Sequence, residues 1–187
     1  MIHIKEKDII INSVELRARL MGANDPATMQ LVKECEDDVR AEADCCYTFA
    51  TTNLSVNDNN ICFDFGTVES YNLAKNLINC KKAFIVAVTL GHKIDRLLRK
   101  TAVNSTLTQF VTDAVASAFT EALCDKVQAE IAPNSRNRFS PGYSDLSLDV
   151  QRKLLQFLEK HEPTGISLTD SGLMIPTKSV TFILGVE

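Results

Sequence analysis

The sequence has no tryptophan, only three histidines, and no Cys-x-x-Cys pair among its six cysteines. No second ligand lies at metal spacing beside His92, which reads as a surface histidine at a helix start. Cys35, Cys45, Cys46, Cys62, Cys80 and Cys124 are scattered, partly in apolar-periodic stretches, and read as free buried thiols. Cys45 and Cys46 are adjacent, but neighbours in a helix or strand point in different directions, which argues against a redox pair. Also missing are a Walker loop, a GxGxxG after a strand, GxSxG, HExxH and the Asp-x-His-x-x-Gly pattern of cobalamin-binding domains. With no nucleophile and base pair in evidence, the sequence does not support a self-contained enzyme.

No apolar run approaches the roughly 20 residues that a membrane span requires. Met1 to Asp8 is polar and charged rather than signal-like, so the expectation is a cytoplasmic protein. A formal net charge of -4 gives no general attraction for nucleic acid or anionic membrane.

What is present is the balance of a globular protein: 45% hydrophobic and 24% charged residues in 187, read as one domain over 1–187. Ile2 to Ile4 and Ile9 to Ile11 suggest a short strand or an N-terminal arm. Val14, Leu16 and Leu20 predict a short helix ending near Gly22. Asp25 as N-cap and Pro26 at the first helical position open a second one, with Glu34, Glu36, Asp37 and Asp38 on its solvated face. Tyr47 to Val56, the turn residues Asn57 to Asn60, and the alternating Ile61 to Phe65 predict an antiparallel hairpin. Ser70 to Cys80 has helical spacing. Ala83 to Val88 is a continuous apolar run that fits a strand buried on both faces. The longest helical pattern spans Asn104 to Ile131, Ser147 is expected to cap a further helix through Leu158, and Ser179 to Val186 is apolar enough to close the sheet.

Between the last two helical patterns lies Arg138-Phe139-Ser140-Pro141-Gly142-Tyr143. Proline presets a negative φ and glycine accepts a positive one, so the backbone must turn here. A guanidinium five residues before a phenol can present a charged fork, backbone amides and a flat ring to one small ligand. The plainer reading of the same residues is an interhelical loop with Tyr143 packed on the core and Arg138 solvated. A loop arginine contributes little to a core, so Arg138→Ala is expected to leave stability almost unchanged.

Three stretches in order and spacing carry a resemblance. Ser117 to Val127, Arg138 to Tyr143, and Gly165 to Ser171 continuing through Met174-Ile175-Pro176 and Ser179-Val180 are together similar to the activation domain of cobalamin-dependent methionine synthase. The similarity is strong over about residues 107–185. It implies an α+β fold with a central, mainly antiparallel twisted sheet and packed helices. It further implies binding of S-adenosylmethionine along the Arg-x-x-x-Gly-Tyr segment, with Arg138 gripping the methionine carboxylate, Ser140 contributing backbone hydrogen bonds, Gly142 among the binding residues, and Tyr143 helping to line the pocket. In that family the domain presents a methyl donor to cobalamin that has fallen to cob(II)alamin, while a flavodoxin-type donor supplies an electron.

This chain departs from the pattern at three places. An arginine and a glutamate expected on the long helix are replaced by Ala114 and Ser117, a tryptophan-containing acidic motif near the N-terminus is absent, and an aromatic-rich extension after the closing strand is not present. The resemblance therefore leads to a free-standing activation module, not self-sufficient as a methyltransferase, that serves the cobalamin-binding domain of a partner methionine synthase lacking its own. The alternative is a scaffold or adaptor that keeps the fold and has lost the ligand.

Overall fold

The computed structural model describes all residues, 1–187. In chain order it contains β1 (Ile2–His3), α1 (Ser13–Arg19), α2 (Pro26–Glu42), β2 (Cys46–Asn57), β3 (Asn60–Phe63), β4 (Gly66–Glu69), α3 (Tyr71–Asn76), β5 (Lys82–Thr89), α4 (His92–Asn104), α5 (Thr106–Ile131), α6 (Val150–Glu159), β6 (Ser167–Leu168), β7 (Met174–Ile175) and β8 (Ser179–Val186). The main sheet runs β4-β3-β2-β5-β8, with β1 pairing β2 beside this path, and every pairing is antiparallel.

Period-2 alternation on the central strands divides the core between the two faces of the sheet. Val86, Val88, Phe182 and Leu184 face a cluster with α1, α2, α4 and α5. Ala83, Ile85, Ala87 and Ile183 face a second cluster with α3 and α6. The continuous apolar run of β5 is thus a consequence of burial on both sides. Helix α5 is apolar nearly all round and accordingly buried along most of its length.

Local sequence chemistry explains most boundaries. Asp25 accepts the amide of Thr28 at 3.0 Å, and Pro26 occupies the first turn. The β2–β3 hairpin closes through Asp58 and Asn59, with Asn57 paired to Asn60 and Asp58 at φ 53°. The long helix begins later than its apolar pattern suggested: Asn104 still belongs to α4, and extended Ser105 separates the two helices and caps Thr108 at 3.2 Å. Ser147 likewise starts a turn rather than the helix itself, accepting from the Asp149 amide at 3.2 Å, and α6 begins only at Val150. Strand β4 had no reading in the sequence, because its four residues carry a single core side chain, Val68.

Strand β8 is the edge of the sheet, yet its outer side is not open. The Arg136 amide donates to Gly185 O at 2.9 Å, and Phe139 and Ile183 exchange bonds of 3.1 and 2.9 Å. Residues 136–139 therefore lie along β8 as a partial further strand and carry the Arg138 turn directly onto the sheet. Gly185 lets Leu77, Cys80 and this segment pack closely on β8, since a Cβ there would stand 2.5 Å from Leu77 Cδ2, 2.8 Å from Cys80 Sγ and 3.3 Å from Arg136 Cγ.

Candidate functional site

The Ser140–Tyr143 turn has the geometry its residues dictate. The Tyr143 amide donates to Ser140 O at 3.1 Å, Gly142 sits at φ 83°, and its amide donates to Leu146 O at 2.9 Å. Phe139 is buried and anchors the turn. Tyr143, 65% exposed, leans edge-on against it with ring centroids 5.3 Å apart. Tyr143 is therefore not a core residue; it is an exposed aromatic wall.

Arg138 is not solvated. It crosses to α5, where Nη1 donates to Asp125 Oδ1 at 2.5 Å and to Gln128 Oε1 at 3.3 Å, and Nη2 donates to Glu121 Oε2 at 3.2 Å. Its guanidinium also lies over the Phe182 ring, 5.8 Å from the centroid. Burial opposes its charge, but the Asp125 hydrogen bond and the neighbouring carboxylates outweigh this and hold its pKa above the ordinary arginine value. The arginine is thus a tether as well as a candidate ligand group, and these contacts argue that its removal costs stability.

A guanidinium has five N–H donors. Three are engaged here, which leaves Nε–H and one Nη2–H without protein partners. Arg138 borders a cleft of about 570 Å³ that it lines with Ser140 and Tyr143 and with Glu121, Asp125 and Gln128. One cation stands against two carboxylates, so the cleft carries a net negative charge. On the other side of Tyr143 lies a second cleft of about 600 Å³ lined by Lys75, Arg136 and several amides, with no acidic side chain. Arg136 is engaged there by Glu187 at 2.6 Å.

The turn is held from a third direction by Asp145. Its carboxylate accepts from Ser70 Oγ at 2.7 Å and from the Tyr71 amide at 2.6 Å, capping α3 from the far side of the chain. These bonds, the Ser70 hydroxyl foremost, hold the Asp145 pKa below the usual carboxylate range.

Sequence reasoning picked out Arg138, Ser140, Gly142 and Tyr143, and the structure brings Arg138, Ser140 and Tyr143 to one cleft while Gly142 shapes the turn. It missed Glu121 and Asp125. The available signal was a pair of acids four residues apart, which places both on one face of the helix. Ala114 is buried, and Ser117 is not an open gap: Lys178 Nζ donates to its Oγ at 2.8 Å. No group of His, Cys, Asp and Glu side chains could hold a metal ion, and no helix is long and apolar enough to cross a membrane.

No curated protein matches the sequence. Among solved structures, the crystal structure of the MetH reactivation domain bound to AdoHcy superposes with a TM-score of 0.72 at 16% identity, covering 98% of this chain and 77% of that one, a likeness of fold. The sequence model of the vitamin B12 dependent methionine synthase activation domain matches residues 75–186. That span takes in the Arg138 turn, α5 and the closing strand, and the chain belongs to the family of vitamin B12-dependent methionine synthase activation domains.

Proposed function

We propose that this chain binds S-adenosylmethionine in the cleft between α5 and the Arg138 turn, and presents the methyl donor to the cobalamin of a methionine synthase whose cobalamin-binding domain is its partner. The observation that supports this reading is the pairing state of Arg138. Two carboxylates fix the guanidinium in place while two of its N–H groups remain available for a ligand carboxylate. At neutral pH S-adenosylmethionine carries one carboxylate, one ammonium and one sulfonium, a net positive charge that suits a cleft with one guanidinium and two carboxylates. Tyr143 offers a ring face to the sulfonium or the adenine, and Ser140 offers backbone and hydroxyl groups beside it.

In the reaction this implies, cobalamin held by the partner would supply the methyl acceptor once reduced by an electron from a flavodoxin-type donor, and the sulfonium would leave as the neutral thioether S-adenosylhomocysteine. The chain's own residues bind and orient the donor: Arg138 at the carboxylate, Glu121 and Asp125 at the cationic groups, Gly142 by letting the backbone turn close under the ligand.

Calorimetric titration with S-adenosylmethionine tests binding. Adding the protein, with S-adenosylmethionine and a reductant, to a methionine synthase from which the activation domain has been removed tests the role. Saturable binding and recovered turnover are expected; binding without any recovery would overturn the role, and no binding would overturn the site. A second reading, an adaptor of the same fold without ligand, is favoured by the extent to which Arg138 is already neutralised within the protein. It predicts association with the truncated synthase and no heat from S-adenosylmethionine.

A further inference from the structure

Helix α4 carries its cations on one side. In α-helical geometry Lys93, Arg96, Arg99 and Lys100 fall within about 120° of arc and along about 10 Å of axis, and all four are exposed. None pairs with a carboxylate of the protein. The one acid of the helix, Asp95, is buried and accepts from the Thr177 amide at 3.0 Å. Helix α2 is the opposite case. Glu34, Asp37, Asp38 and Glu42 are exposed within about 140° of arc and along about 12 Å, with Lys33 at the border of this face and no cation paired to any of the four acids.

The fold sets these two faces side by side. Helix α2 runs parallel to α5, since Thr112 Oγ1 donates to Cys35 Sγ at 3.4 Å and the Arg40 guanidinium lies 4.9 Å from the Phe119 ring centroid. Helix α4, joined to α5 through Ser105, packs back along it and so runs the other way, and it also touches α2. The acids occupy the C-terminal half of α2 and the cations the N-terminal part of α4, so the antiparallel arrangement brings the two charged stretches level with each other. Over buried α5 the outer layer is therefore an acidic strip next to a basic one.

A foreign acidic surface laid on α4 also meets the acids of α2, and the formal net charge of -4 disfavours a nucleic acid. A second copy of the chain carries the same two strips in reverse. A two-fold axis parallel to the helices, over the seam between them, seats each α4 on the other copy's α2 and repeats the contact identically. We propose that the chain forms a homodimer through this face, with Lys93, Arg96 and Lys100 of one copy against Glu34, Asp37 and Asp38 of the other. Val103, 87% exposed in the last turn of α4, adds apolar area to the same face. Two faces of this length bury about 1,000 to 1,200 Å² in total, the low end of specific interfaces. Their charged pairs are screened by salt, so the dimer is reversible and salt-sensitive. Neither helix lines either cleft beside Tyr143, so assembly and ligand binding are tested separately.

Sedimentation velocity on the full chain measures assembly at about 50 mM salt, where screening is weaker, and at about 500 mM. The unaltered chain is expected to double its mass with rising concentration at low salt and to return to monomer at high salt. A basic-face variant, Lys93→Glu with Arg96→Glu and Lys100→Glu, and an acidic-face variant, Glu34→Lys with Asp37→Lys and Asp38→Lys, are each expected to stay monomeric. An equimolar mixture of the two, whose strips are again opposite, is expected to form a heterodimer. All six side chains are exposed, and circular dichroism checks that the variants fold. Should a triple variant unfold, Arg96→Glu alone carries the test and is expected to raise the dimer Kd about tenfold. An unaltered chain that stays monomeric at low salt overturns the dimer. A dimer that survives either reversal, a mixture of folded variants that stays monomeric, or an unchanged Kd in Arg96→Glu overturns this face as its interface.

Discussion

Arg138→Ala removes hydrogen bonds to three α5 side chains at once and leaves Glu121 and Asp125, one helical turn apart, with no cation between them. The Asp125 side chain is 63% exposed, so its bond is screened and belongs with exposed pairs, worth roughly 0.2 to 1 kcal/mol. Glu121 is more enclosed, and its bond falls at the low end of charged hydrogen bonds, about 1.5 kcal/mol. The sum, about 1.7 to 2.5 kcal/mol, corresponds in a chain of this length to a fall in Tm of about 3 to 10 °C. Differential scanning calorimetry at low and high salt measures it, and the difference from the parent should narrow at high salt as the lost pair becomes screened in both proteins. Affinity for S-adenosylmethionine should fall by about 2 to 5 kcal/mol, the cost of truncating one partner of a desolvated charge pair. An unchanged Tm at low salt would refute the tether, and unchanged affinity in a protein that binds the ligand would remove Arg138 from the site.

Asp145→Asn should lower stability near neutrality. The folded-state pKa of Asp145 is depressed, so its contribution is present above the ordinary carboxylate range and is lost as pH falls through the folded value. In urea unfolding the gap between parent and variant should therefore shrink below about pH 4, and a gap that widens on acidification would contradict the cap. Gly185→Ala should destabilise by about 1 to 3 kcal/mol through overpacking, because Leu77 and Cys80 leave no room for a Cβ; an unaffected denaturation midpoint would show that β8 can move away. Burial pushes the Cys45 thiol up to about 12 and the Cys46 thiol up to about 11, and raises Cys35 and Cys124 as well. Thiol labelling of the native protein at pH 8 should thus modify half-buried Cys62 first, and rapid reaction at the adjacent pair would refute the inert reading.

Elements with an unambiguous period were legible in the sequence. The apolar run of β5, the hairpin around Asp58 and the Asp25-Pro26 helix start each followed from one local rule. Boundaries set by a single residue were not: Ser105 interrupts two helical patterns that merge in hydropathy, and only its extended backbone separates them. In the site, the turn was visible because proline and glycine mark it. Its counterparts were not, because Glu121 and Asp125 are ordinary surface residue types whose meaning depends on α5 lying beside the Arg138 turn. Asp145 is a similar case, since nothing local links it to a helix start more than seventy residues away. Short-range chemistry announces itself in sequence, whereas a charge whose partner arrives from a distant segment does not.

The ladder between residues 136–139 and β8 has a consequence for how this surface can change. An exposed edge strand invites pairing with another chain, and here the segment leading into the Ser140–Tyr143 turn occupies that position through Arg136 and Phe139. If the cleft holds the proposed ligand, variation at Ser140 to Tyr143 changes what binds and leaves this ladder in place. Proline at Arg136 or Phe139, which removes an amide that donates to β8, would unzip the ladder and expose the β8 edge, so aggregation would remove such variants.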